Sequence, residues 1–142
     1  MTLYNLLRQL CGLSQREAAE FHGVSIRSVE GWGFGKRGGE AIDAPEGVIA
    51  DLRLLYAQIE AAAAAAVVEI KRQKPAGEIE LGIAKTDKEA RSLRLPGIGT
   101  HAAMLAIVAA RLDMPVRIVP RGSTKATRTA AFVHDMARPG KP

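Results

Sequence analysis

The sequence predicts a mainly α fold: an N-terminal helix-turn-helix bundle, a long connecting helix and a small C-terminal α/β lobe of order β-α-α-β. Three observations predict it. Between Leu13 and Arg37 the segment LSQREAAEFHGVSIRSVEGWGFGKR carries two helix starts separated by a glycine turn. From Asp43 to about Gln73 apolar residues recur at helical spacing, over a stretch longer than a small domain needs. After Lys74-Pro75-Ala76-Gly77 the pattern switches to alternation of polar and apolar residues, so a lobe boundary falls there. The expected division is 1–74 for the bundle with its long helix, 75–120 for the α/β lobe and 121–142 for a basic tail.

Thr2 to Leu10 reads as the first helix, with Leu3, Leu6, Leu7 and Leu10 at core spacing and Gly12 ending it. Ser14 caps the second helix, and Glu17 three residues later completes a capping box. Ala18 and Ala19 put small side chains where another helix packs closely. Gly23 suits a turn that needs positive φ, which a residue without Cβ adopts cheaply. Ser25 caps the third helix. Val29 and Trp32, three apart, share a face and enter the core. Ile26, Arg27, Ser28, Glu30 and Gly31 are expected to face outward. A short helix with an apolar inner face and a mixed outer face suits a recognition helix in the DNA major groove.

GLSQREAAEFHGVSIRSVEGWGFGKR resembles the Xre/Cro/CI-type helix-turn-helix domain of bacterial and phage repressors. The likeness covers roughly the first half of the chain: Ser-Gln opening one helix, Ala soon after, Gly at the turn, Val-Ser entering the next, then Trp and Gly-Lys-Arg. It implies that Gln15 binds a phosphate and braces the recognition helix. It implies further that Ile26 and Arg27 face bases, that Ser25 and Ser28 lie on phosphate or base edges, and that Lys36 and Arg37 hold the DNA backbone. Two positions depart from the pattern. The family often has Glu after the Trp, paired with an Arg of the first helix; here Arg8 is present and Gly33 replaces the acid. His22 stands where an aliphatic residue is usual. The Ala-Pro-Glu-Gly-Val run and the short α/β remainder also look like the anti-CRISPR-associated autoregulators.

Gly33, Gly35, Gly38 and Gly39 read as an open loop around Lys36 and Arg37, either a connector or a stretch whose bare amides approach phosphate. Its spacing is not that of a nucleotide-binding loop. Asp43 and Glu46 suggest a capping box for the long helix, with Pro45 in its first turn. Val48, Leu52, Leu55, Ile59 and Ala62 form its apolar stripe, and its length is on the order of 45 Å at about 1.5 Å per residue. The small-residue run Ala61 to Ala66 is expected to be a spacer and dimer seam, or else a helix former packed within its own chain.

Glu78 to Ile83 reads as a strand with Ile79, Leu81 and Ile83 on one face, and Thr86 to Leu93 as a short helix with a Thr-x-x-Glu cap. Thr100 is expected to cap an apolar helix to Leu112, and Pro115 to Val119 is a second strand. Two strands alone are marginal. Pairing with a second copy would extend the sheet and bury Met104, Leu105, Ile107 and Val108, so a homodimer is expected. Arg121 to Pro142 is basic, with a helix possible over Ala126 to Met136.

The chain has 142 residues, a net charge of +5 and a pI near 9.7, which suits a polyanionic partner. From Met1 to Asp43 acids and bases balance, so that half would bind by placement of charge. The excess lies late, in Arg117, Arg121, Lys125, Arg128, Arg138 and Lys141 against Asp135. Aromatics are scarce, and the core is expected to be Leu, Ile, Val and Ala. Cys11 is single, which excludes an internal disulfide and points to a cytoplasmic setting. No secretory leader pattern is read, and Ala61 to Val68 is too short to span a membrane.

His22, His101 and His134 lack companions at metal-ligand spacing, and no nucleophile-base-acid set is visible; neither a metal, a cofactor nor an enzyme is expected. The function expected is a DNA-binding transcriptional repressor on double-stranded DNA, a homodimer on a palindromic operator that regulates its own synthesis. The alternative is an antitoxin-type module that neutralises a partner protein and also binds DNA.

Overall fold

The computed structural model describes residues 1–128. The protein is mainly helical, with a small parallel sheet near the C-terminus. Its elements run α1 (Leu3–Leu10), α2 (Gln15–His22), α3 (Ile26–Phe34), β1 (Lys36–Arg37), β2 (Glu40–Ala41), α4 (Glu46–Arg72), β3 (Ile79–Ile83), α5 (Asp87–Ser92), α6 (Ile98–Arg111) and β4 (Val116–Pro120).

Local chemistry sets the ends of the first three helices. Thr2, Ser14 and Ser25 each accept a backbone N–H from the residue three ahead. At Ser14 the box is complete, since Glu17 Oε1 accepts from the Ser14 amide at 3.0 Å. Both α1 and α2 end in left-handed glycines. Gly12 and Gly23 donate to Gln9 O and Glu20 O, and the following residues, Leu13 and Val24, reach back to Arg8 O and Ala19 O. Those paired bonds satisfy carbonyls that a helix end otherwise leaves open.

Two clusters make the core. The first joins Tyr4, Cys11, Leu13, Ala18, Ala19, Val29, Trp32, Leu52, Leu55 and Ile59; the second joins Ala63, Val67, Leu81, Leu105 and Val108. Helix α4 contributes to both, and Met104 and Ile107 pack against both. Cys11 is fully buried and donates to Leu52 O at 3.4 Å, and burial pushes its thiol pKa up to about 11.

Several expectations need correction. The leucine stripe of α1 is not the core face: Leu3, Leu6 and Leu10 are exposed, and α1 instead buries Tyr4 with Leu7 half-buried, while Cys11 is buried just past its end. The segment after α3 is not an open loop. Lys36–Arg37 pairs antiparallel with Glu40–Ala41, turning through Gly38 and Gly39, both at positive φ, which suits a two-residue hairpin turn. Helix α4 starts on Pro45 with no side-chain cap, so the Asp43–Glu46 box does not form. Its buried stripe passes through Ala63, while Ala62 is exposed.

The second lobe has the expected element order, and the crossover between its strands makes β3 and β4 parallel, in register from Ile79–Val116 to Ile83–Pro120. Arg117 lies opposite Glu80 on this ladder and reaches it at 3.4 Å. Thr100 does not cap α6. The helix opens three residues earlier on Gly97, and Thr100 is fully buried, its hydroxyl without a hydrogen-bond partner among the described residues. Asp87 supplies the cap from α5 by accepting the Ile98 amide at 3.1 Å. The apolar face of α6 is covered by α4 and β3 of its own chain, so the need to bury it against a second copy disappears. The small residues of α4 admit α6: Ala63 is fully buried in the second cluster and Ala66 packs beside it. The expected Ala126–Met136 helix falls largely outside the described residues; Lys125–Arg128 is helical, and Thr124 caps it by accepting the Thr127 amide.

The lobes meet at the α1–α2 corner. A side chain on Gly12 would collide with the Gly99 carbonyl, and one on Gly99 with the Gly12 carbonyl. The Glu17 carboxylate lies against Gly97, so it and Asp87 both place negative charge at the α6 N-terminus, where the helix dipole favours it.

Candidate nucleic-acid interface

Helix α3 is anchored from behind. Val29 is fully buried and Trp32 is 8% exposed. Trp32 packs edge-on against Tyr4 at a centroid distance of 5.4 Å and against His22 at 6.0 Å. His22 Nε2 pairs with the Tyr4 hydroxyl at 3.1 Å, which gives this polar ring a partner beside the core. Burial holds the His22 pKa below 6.5, opposed by the Asp51 charge. Thr2 clamps the other end of α3 by donating to Trp32 O at 2.9 Å.

Among the described residues, no other element covers the outer side of α3. Ile26 is 44% exposed, Arg27 and Glu30 are exposed, and the second lobe docks on α4 and the α1–α2 corner instead. Gly31 is the correction: it is buried, because the Arg37 guanidinium folds over it. A Cβ there would lie 3.5 Å from Arg37 Nε and 3.8 Å from Ile42 Cδ1. The hairpin is thereby fixed to the helix.

Beside α3 lies an open depression of about 560 Å³ lined by Asn5, Gln15, Arg27, Glu30, Phe34, Lys36 and Arg37, with Gly31 and Gly33 in its wall. Gln15, Arg27, Lys36 and Arg37, which the sequence singled out, come together here from α2, α3 and β1. Three cations face one carboxylate, so the depression attracts anions although its half of the chain is neutral. Ser25, Ile26 and Ser28 sit apart, at the α3 N-terminus. The two serines are engaged locally: Ser25 Oγ accepts the Ser28 amide at 3.2 Å, and the hydroxyls pair at 3.2 Å. Ile26 remains open to contact.

Sequence reasoning missed Asn5 and Phe34. Asn5 Oδ1 accepts from Arg8 Nε and Nη2 at 3.0 and 2.8 Å, and it lies next to Gly33. It thus answers Arg8 from within α1, and the signal was their spacing, three apart on one helix face. Phe34 had a signal, since it stands seven residues after Arg27 and so shares its face of a helix.

No helix among the described residues is long and apolar enough to cross a membrane. Comparison with protein-family models, with curated proteins and with solved structures found no match to this chain.

Proposed function

We propose that this protein is a sequence-specific DNA-binding repressor that acts as a homodimer on a palindromic operator in its own promoter. On this reading α2, the Gly23 turn and α3 form a helix-turn-helix, and α3 enters the major groove. The observation that carries it is the gathering of Gln15, Arg27, Lys36 and Arg37 around one open depression on the uncovered side of a helix that Val29 and Trp32 hold from behind.

The chemistry divides the roles. Arg27 reads a guanine through paired bonds to O6 and N7, and Ile26 meets a thymine methyl. Gln15, Lys36 and Arg37 hold phosphates and set the register without reading sequence. An α3 of nine residues spans about 13 Å, enough to follow only a few base pairs. Two copies on half-sites about 34 Å apart double the sequence read, which is the reason for proposing a dimer.

Selection of bound sequences from random DNA tests the reading directly. It should yield an inverted repeat with half-sites about one helical turn apart, roughly 10 base pairs. Anisotropy titrations then separate the roles. Arg27→Ala should cost about 1–3 kcal/mol on the selected site and relax one base position, whereas Lys36→Ala should weaken every sequence and lower the salt slope by about one. No enrichment of any sequence, with equal weak binding of selected and scrambled DNA, would overturn the proposal.

A further inference from the structure

Phe34 is 82% exposed, while the other described aromatic side chains are buried or half-buried. It ends α3 on the stripe of Arg27 and Glu30 and lines the same depression as Lys36 and Arg37. Gly33 precedes it and the left-handed Gly35 follows, so no neighbouring side chain shields the ring or keeps another backbone away. The backbone that carries the ring is pinned: the Gly35 amide donates to Gly31 O at 2.8 Å, and Thr2 binds the carbonyls of Trp32 and Gly33. A large apolar group carried on a pinned helix end amid cations suits a partner that is anionic outside and apolar between its stacked layers. Duplex DNA has both properties.

We propose that Phe34 is a wedge that inserts between two stacked base pairs at the edge of the bound site and bends the duplex there. This rests on the DNA-binding reading above. The cations hold phosphates on either side of the opened step, and the ring, entering from the major-groove side, replaces the lost base stacking by the same exchange that apolar wedges make from the minor groove. Seven residues of helix separate Phe34 from Arg27, about 10 Å, so the opened step lies within about three base pairs of the guanine that Arg27 reads. Pyrimidine–purine steps open most easily. The selected operators should therefore carry a TA or CA step within that distance, although no side chain hydrogen-bonds to it.

The test uses the full chain, the selected operator and 2-aminopurine at the proposed step, with the bend read by energy transfer between dyes at the duplex ends. Wild type should brighten the 2-aminopurine and shorten the end-to-end distance. Phe34→Ala should do neither and should bind about five- to a hundred-fold more weakly, the range for losing one aromatic–base stack. Its salt slope should be unchanged, since no phosphate contact is lost. Phe34→Leu, which keeps an apolar wedge, should retain most of the bend. Equal melting temperatures for the three proteins would establish that the variants fold. A wild-type complex that is straight and dark, a Phe34→Ala complex that bends as wild type does, or a Phe34→Ala effect confined to self-association would each overturn the wedge while the DNA-binding reading stands. Failure of wild type to prefer the selected DNA would overturn that reading and the wedge with it.

Discussion

Replacing Gly12 and Gly23 by alanine, one at a time, separates backbone strain from the docking of the two lobes. Both glycines end a helix, with φ of 70° and 69°. Either substitution forces a side chain into the left-handed region, at about 1–2 kcal/mol. At Gly23 nothing lies within 4 Å of the added carbon, so that is the whole cost. At Gly12 the carbon meets the Gly99 carbonyl, and a backbone atom in helix α6 cannot swing aside as a side chain would. Relieving such an overlap shifts whole elements, at about 1–3 kcal/mol more. Gly99→Ala, in ordinary helical backbone, should show that second cost alone. The single tryptophan, Trp32, sits in the first core cluster and reports unfolding in urea by its fluorescence. The expected order of loss is Gly12→Ala above Gly23→Ala by about 1–3 kcal/mol at unchanged m-value. Equal losses at the two positions, within about 0.5 kcal/mol, would refute the close approach of the α1–α2 corner to α6.

Three further outcomes follow from buried groups. Thr100→Val removes a hydroxyl that has no partner and should be neutral or stabilising by about 1 kcal/mol in the same assay; a clear loss would mean that the hydroxyl is bonded after all. Because burial lowers the His22 pKa, the unfolded chain takes up the proton first on acidification. Stability should therefore fall as pH drops below about 6.5, and His22→Gln should flatten that part of the curve; parallel curves for the two proteins would argue against the desolvation that lowers the ring's pKa. Cys11, with its thiol pushed up to about 11, should resist an aromatic disulfide reagent at neutral pH and react promptly in denaturant; fast labelling of the native protein would contradict its burial.

What was legible in the sequence is what short-range chemistry decides. Ser14 and Thr86 cap where their spacing to Glu17 and Glu89 said they would, and Ser25 caps as its residue type at the helix entry said, since a cap needs only a few residues of context. The inward face of α3 followed from two residues three apart. What failed was decided from afar. In α1 the stripes 3-6-10 and 4-7-11 are equally helical, and the aromatic ring of Trp32 selected the one holding Tyr4. Thr100 looked like a cap until Asp87, from another helix, capped Ile98 first. Asp43 stands two residues before Pro45, the residue that occupies the start of α4, and it makes no cap bond there. Gly31 became buried because β1 lays Arg37 across it and the hairpin, hidden in a run of glycines, returns Ile42 beside it. For the candidate interface, the residue types were readable and their convergence was not, because Gln15, Arg27 and Lys36 belong to three elements.

Helix α4 has a practical consequence for dissection. Its 27 residues carry Leu52, Leu55 and Ile59 in one cluster and Ala63 and Val67 in the other. Cutting after Lys74, where composition invites the cut, strips the distal turns of their cover and leaves a greasy half-helix in water. A fragment ending there should clump or fray, and its failure to bind a ligand would say nothing about where the ligand binds. Truncations meant to isolate the first half should therefore also trim or resurface the end of this helix.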